Sequence, residues 1–190
     1  MKSINHTSKK IGFTLVEIMV SVAIFTIIIT VGMGALVTIT RSYQVSQNQK
    51  RVHDSLNYAV ESMAREIRLG DTYLISPSGG GPITGDGVGD SLGFYAADNR
   101  GYVIYSLSSG TIMIDRSGAA NAPNGTQPLT DDTQVVVDEL RFTVLGTDSV
   151  GSGDRNQPLV WIQVKAHAVD GDPDLTTTVQ TLVSQRTLDA

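Results

Sequence analysis

The chain has 190 residues and no cysteine, which excludes a disulfide framework and thiolate chemistry. Fourteen basic residues against 19 acidic ones give a net charge of −5, which excludes nucleic-acid binding through a broad basic surface. The charge is unevenly spread. Residues 1–12 carry Lys2, Lys9 and Lys10 and no acid; taking these three from 14 leaves 11 basic against 19 acidic residues, net −8, in the remaining 178.

The first predicted element is an apolar helix. From Phe13 to Thr40 there is no Lys, Arg, Asp, Asn, Gln or Pro, and the one charge is Glu17. At 1.5 Å per residue such a helix is roughly 42 Å long, more than a hydrocarbon core of ~30 Å needs. Arg41 ends the run. A carboxylate inside a membrane helix costs about 2.5–3.5 kcal/mol on insertion scales, so Glu17 reads as a functional group that needs a partner. A cleaved secretory signal fits poorly, because the apolar run is too long for an h-region and no Ala-x-Ala site closes it. Processing ahead of the run, with the helix retained, fits better.

Lys9-Lys10-Ile11-Gly12 followed by Phe13-Thr14-Leu15-Val16-Glu17 resembles the type IV prepilin signal of pilins, type II secretion pseudopilins and competence pseudopilins. The resemblance implies that a prepilin peptidase cuts between Gly12 and Phe13 on the cytoplasmic side and N-methylates Phe13. It also implies that Glu17 neutralises the new amine of Phe13 on a neighbouring subunit during assembly. That supplies the partner a carboxylate in lipid requires. Lys9 and Lys10 place the N-terminus in the cytoplasm by the positive-inside rule, and the bulk of the protein outside it.

Residues 41–69 are polar, with apolar positions at Val45, Val52, Leu56, Ala59, Val60, Met63 and Ile67. This spacing makes one face of a helix. No Gly or Pro interrupts it before Gly70, which follows Arg65 and Arg68 as a stop signal. One continuous helix over 13–69 is expected, about 85 Å long. Gly32 and Gly34 within it suit either close helix packing or a local weak point.

Residues 70–90 read as a loop rich in Gly and Pro, with Asp71–Ser76 as a short strand candidate at its start. Strands are expected over Leu92–Ala96, then Tyr102–Leu107 and Thr111–Asp115 as a hairpin about Ser108-Ser109-Gly110. Residues 117–131 read as loop. Val135–Leu145, Leu159–Val169 and Leu175–Val183 follow, the last two as a hairpin across Asp170-Gly171-Asp172-Pro173-Asp174. All strands come after one long helix, so the fold class is α+β with a mainly antiparallel sheet. The expected divisions are a cleaved leader (1–12), a transmembrane half-helix (13–40), an amphipathic half-helix (41–69) and an extracytoplasmic β-rich domain (70–190).

This order is the pilin plan. Leu56-x-x-Ala59-x-x-x-Met63-Ala64-Arg65-Glu66-Ile67-Arg68 and the closing Thr181–Leu188 look like the first-helix end and last strand of J-type minor pseudopilins and W-type minor pilins.

Other chemistry finds little support. Gly89-Asp90-Ser91-Leu92-Gly93 fits the nucleophile pattern G-x-S-x-G, with His167 downstream, but a strand and not a helix is expected after the serine. Asp170, Asp172 and Asp174 are spaced like the start of a calcium loop. The loop glycine is missing, since Leu175 stands sixth, and Thr181 replaces the terminal Glu. They are weak calcium candidates, with Asp86 and Asp90 as a second pair, and no other cofactor is expected. His53 and His167 lack companions at ligand spacing. Asn124-Gly125-Thr126 is formally a sequon, and Asn-Gly is first of all a turn.

The leading expectation is a non-enzymatic filament subunit, a minor pilin or pseudopilin that starts or caps a type IV pilus or a type II secretion pseudopilus. The resemblance implies as partners the prepilin peptidase, other pilin-like subunits and an inner-membrane assembly platform, with the filament as final location. The alternatives are a major pilin, a competence pseudopilin, or a membrane-anchored extracytoplasmic binding module outside any filament. A hydrolase built on Ser91 is remote.

Overall fold

A computed structural model describes residues 12–76, 83–84, 86–97, 101–116, 125–147 and 157–186. Residues 1–11 of the basic leader, the stretch from Pro77 to Pro82, Asn124, and Thr187 and Leu188 of the closing segment lie outside the described residues. One helix, α1, runs Leu15–Leu69, the single helix the hydropathy pattern calls for. The chain falls into two compact units, residues 1–44 and 45–190.

The first unit is the apolar part of α1. It contains an 18-residue window of mean hydropathy 2.5, long and apolar enough to cross a membrane. Its large apolar side chains, from Leu15 to Ile39, are all exposed. Its polar residues are matched to an apolar setting. Ser21, Thr26, Thr30, Thr38 and Thr40 each donate a hydroxyl proton to the carbonyl four residues back, at 2.7–3.0 Å. No hydroxyl in that series depends on water, as a bilayer requires.

The second unit holds the core. Six strands form one sheet in the order β2-β1-β4-β5-β6-β7: β1 Asp71–Ser76, β2 Ile83–Thr84, β4 Ser91–Tyr95, β5 Tyr102–Ser108, β6 Thr111–Asp115 and β7 Thr126–Pro128. Four form another, in the order β10-β9-β8-β3: β3 Gly87–Gly89, β8 Val135–Leu145, β9 Leu159–Ala168 and β10 Thr177–Ser184. Every neighbouring pair is antiparallel. The single sheet expected from sequence is thus two. The stretch expected to be loop before Asp90 contributes β2 and β3, and β7 lies within the second expected loop. Pro128 is tolerated because β7 is an edge strand.

The two sheets and α1 enclose one apolar cluster. The helix supplies Val52, Leu56, Ala59, Val60, Met63 and Ile67, at the expected 3–4 spacing. Burying each large side chain is worth about 1.5–3 kcal/mol over exposing it. Val45 does not join them. It is exposed, and the helix there meets the β9–β10 turn through Asn48 Nδ2, which donates to Asp170 O at 3.4 Å. In β8 the buried positions are 135 and 137, then 140, 142 and 144. The switch of parity is a bulge between Val137 and Glu139, whose extra residue is Asp138. The β5–β6 hairpin closes on Ser109 (φ 50°) and Gly110 (φ 77°), the left-handed pair that a two-residue hairpin turn demands.

Among the described residues, the 24 buried apolar ones of the core all lie between Val52 and Val183. A chain starting near Arg41 is therefore expected to be soluble and to melt in a single cooperative transition followed by circular dichroism. Aggregation, or a broad non-cooperative loss of signal, would show that this core needs a partner.

Candidate functional site

The N-terminal element begins one residue earlier than the helix. Thr14 is the N-cap: its Oγ1 accepts the Glu17 N–H at 3.3 Å, and its carbonyl accepts the Ile18 N–H at 3.2 Å. Thr14-x-x-Glu17 is a capping-box spacing, legible in the sequence but missed there. Glu17 thus stands in the first turn, where the helix dipole favours an anion. Gly12, Phe13 and Glu17 are all exposed, and a Cβ on Gly12 would meet nothing within 4 Å. These three residues follow one another along one short segment, open to an outside partner.

The other end of α1 is tied into the β-domain. Gly70 follows the last turn, but its φ is not left-handed. Glycine is needed there because a Cβ would be driven into the Phe94 ring, 3.0 Å from Cε2 and 3.2 Å from Cγ. The final carbonyls find partners from distant parts of the chain. The Tyr73 hydroxyl lies 2.8 Å from Ile67 O and 3.1 Å from Gly70 O. Gln185 Nε2 donates to Gly70 O at 3.1 Å, and the Arg186 N–H donates to Arg68 O at 2.9 Å. Such caps replace the helical bonds that the last turn lacks.

One turn before the end, Glu66 joins the helix to the six-stranded sheet. It pairs with the Arg116 guanidinium through Oε1 and accepts the Tyr105 hydroxyl proton through Oε2 at 3.0 Å. Burial, then the charge of Glu66, pushes the Tyr105 phenol far above its ordinary range, so it stays a donor. Phe94 packs between Tyr105 and Tyr73, at ring-centre distances of 5.9 and 6.2 Å. Neither the Glu66 contacts nor the Gln185 cap was visible in the sequence, because the bonded partners stand 39, 50 and 115 positions apart.

The G-x-S-x-G pattern forms no nucleophile elbow. Ser91 opens strand β4, and an extended strand follows it. His167 lies in the other sheet, with its Nδ1 2.9 and 3.0 Å from the two oxygens of Asp138, the bulge residue. Both glycines of the pattern are steric. A Cβ on Gly89 would fall against the Ser76 carbonyl, and one on Gly93 would meet the Tyr102 ring 2.6 Å from Cζ.

The calcium candidates are not gathered into a site. The Asp174 N–H donates to Asp172 Oδ1 at 3.0 Å, within an ordinary turn, and Asp170 uses its carbonyl toward Asn48. Asp86 accepts the Thr147 N–H at 3.0 Å and the Thr147 hydroxyl at 3.2 Å. Burial raises that carboxyl, but the amides of Thr147 and Gly146 and the Thr147 hydroxyl outweigh it and hold it below the usual range. Among the described residues no three His, Asp or Glu side chains sit close enough together to hold a metal ion.

Two family models match the chain. One, the prokaryotic N-terminal methylation motif, covers residues 7–33 and so takes in Gly12, Phe13 and Glu17. The other, prepilin peptidase-dependent protein B, covers residues 81–185, more than half of the chain. The chain belongs to the prepilin peptidase-dependent protein B family. No curated protein and no solved structure matches it.

As a type IV pilin-like protein the chain has the architecture expected from its sequence, one long N-terminal helix against antiparallel sheets. Dependence on prepilin peptidase implies processing by that enzyme and pilin-type assembly. The family match begins before β2 and ends at Gln185, the residue that caps α1. The matched segment thus contains nearly all of the β-domain, together with the contact that fastens it to the helix.

Proposed function

We propose that the chain is a minor subunit that starts or caps a type IV pilus or a type II secretion pseudopilus. In this reading the peptide bond between Gly12 and Phe13 is cut at the cytoplasmic face and Phe13 is N-methylated. The apolar half of α1 then serves both as membrane anchor and as filament core, and the β-domain stands outside the cytoplasm. The observation that carries the reading is the N-terminal methylation motif on an exposed apolar helix, joined to a prepilin peptidase-dependent domain. The likeness of residues 56–68 and 181–188 to J-type and W-type subunits supports a minor role over a major one. The chain performs no catalysis of its own; ATP hydrolysis belongs to other proteins of the machine.

Intact-mass and N-terminal peptide analysis of the protein from cells with an active prepilin peptidase tests this. The expected product begins at N-methyl-Phe13, and the uncut form accumulates when the peptidase is removed. A Met1 terminus in peptidase-positive cells would overturn the reading.

A further inference from the structure

A groove of about 240 Å³ runs beside the C-terminal end of α1, lined by Glu61, Ala64, Arg65, Arg68, Leu69 and Arg186. Its lining combines the apolar Ala64 and Leu69 with three arginines and one carboxylate, Glu61, in a chain with an acid excess of eight after the leader. Two of these arginines come from opposite ends of the domain. They are fixed side by side by the backbone bond from Arg186 N to Arg68 O and by the buried Gln185 next to it. Arg68 and Arg186 have no carboxylate partner among the described residues, and Arg65 shares only the exposed Glu61, at 3.5 Å. Two exposed arginines held on adjacent backbone, with no carboxylate paired to either among the described residues, make a positive site facing outward. Planar guanidinium forks match a carboxylate in two-point fashion. Arginines beside apolar side chains are also a composition that protein interfaces favour. Nucleic acid demands a longer basic stripe along successive phosphates than three arginines beside a glutamate provide.

We propose that this groove docks an acidic segment of a neighbouring pilin-like subunit, with Arg68 and Arg186 gripping its carboxylates and Leu69 its apolar flank. The inference rests on the filament reading above and names the contact that reading lacks in the β-domain.

Carbodiimide links an amine directly to a carboxylate in contact with it, which gives a test on the full-length protein in cells. Arg68→Lys and Arg186→Lys keep the charge and supply the amine. The expected result is a cross-link from position 68 or 186 to an Asp or Glu of another pilin-like subunit, mapped by peptide mass spectrometry. Arg68→Gln with Arg186→Gln should lower co-purification of that subunit at least fivefold, while the lysine pair retains it. Cross-links only to Glu61 of the same chain, to a second copy of this chain or to a protein that is not pilin-like would overturn the proposal. So would a lipid adduct in place of a peptide, or unchanged co-purification of the glutamine pair. If the wild-type chain co-purifies with no pilin-like subunit, the filament reading fails with it; if it co-purifies but the lysines capture no partner, the groove alone is wrong.

Discussion

Gly89→Ala is expected to destabilise the β-domain by about 3 kcal/mol, at the upper end of the usual cost of overpacking, lowering its melting temperature by roughly 10 °C. Gly89 ends β3 in the four-stranded sheet, and the chain enters β4 of the six-stranded sheet two residues later. At this crossing the Asp90 N–H donates to Ser76 O at 3.2 Å, so β1 runs directly beside Gly89. A methyl group would press on the Ser76 carbonyl, 2.8 Å from its carbon, and lie 2.5 Å from Ile75 Cγ2. Ile75 is fully buried and Ser76 is bonded into the β1–β4 ladder, so neither can retreat without parting the strands. Gly93→Ala is the informative comparison. Its methyl group meets the far end of Tyr102, a half-buried side chain that can swing outward, and the cost should be clearly smaller. Thermal melts of a soluble chain starting near Arg41 measure both. Equal melting temperatures for Gly89→Ala and the parent would mean that the sheets can slide at this crossing.

Those two glycines also mark the limit of what the sequence could say. In one dimension Gly89-x-Ser91-x-Gly93 fits a nucleophile pattern; in three, each glycine makes room for a different neighbour. The helix and the longer strands were legible because they rest on local periodicity. The apolar face of α1 shows it, and so do the alternating strands Leu159–Ala168 and Thr177–Ser184 and the Ser109-Gly110 turn. What stayed hidden depends on meetings across the chain. The break in alternation at Asp138 is a bulge that becomes intelligible only beside β9, and β3 gains its identity from pairing with Phe142, Thr143 and Val144. The division into two sheets follows from which strand lies next to which, and short strands with glycine at both ends carry no mark of that. The assembly segment was the opposite case. Lys9 to Glu17 falls within the N-terminal methylation motif, a linear pattern, so it is visible before any fold exists. The sole feature overlooked there, the Thr14 cap, is also local.

Glu17→Val is expected to leave protein level and membrane location nearly unchanged and to cut co-purification with other pilin-like subunits at least tenfold. The helix start does not depend on the carboxylate, because the capping atoms belong to Thr14 and to the backbone of Glu17 and Ile18. Losing an anion from the first turn costs about 0.3–1 kcal/mol of helix-end stability. Removing a charge from an apolar segment returns as much or more on insertion, so the isolated subunit stays in place. The filament is different. In the proposed filament, subunits staggered along the axis would carry residue 17 of one chain away from the headgroups and into the packed apolar helices. There the methylated amine of Phe13 on a neighbour, itself a cation in the same surroundings, would be the partner within reach. Valine leaves that amine buried and unpaired, and breaking one side of a buried ion pair costs about 3–5 kcal/mol, well beyond the ~1.4 kcal/mol that a tenfold loss requires. Glu17→Gln separates charge from shape: it keeps the size and hydrogen-bonding capacity, and should assemble as poorly as valine if neutralisation is the role. Wild-type incorporation of both variants would sink the pairing. It would place residue 17 where no neighbour's amine reaches it, as at a filament end whose outer face meets no further subunit.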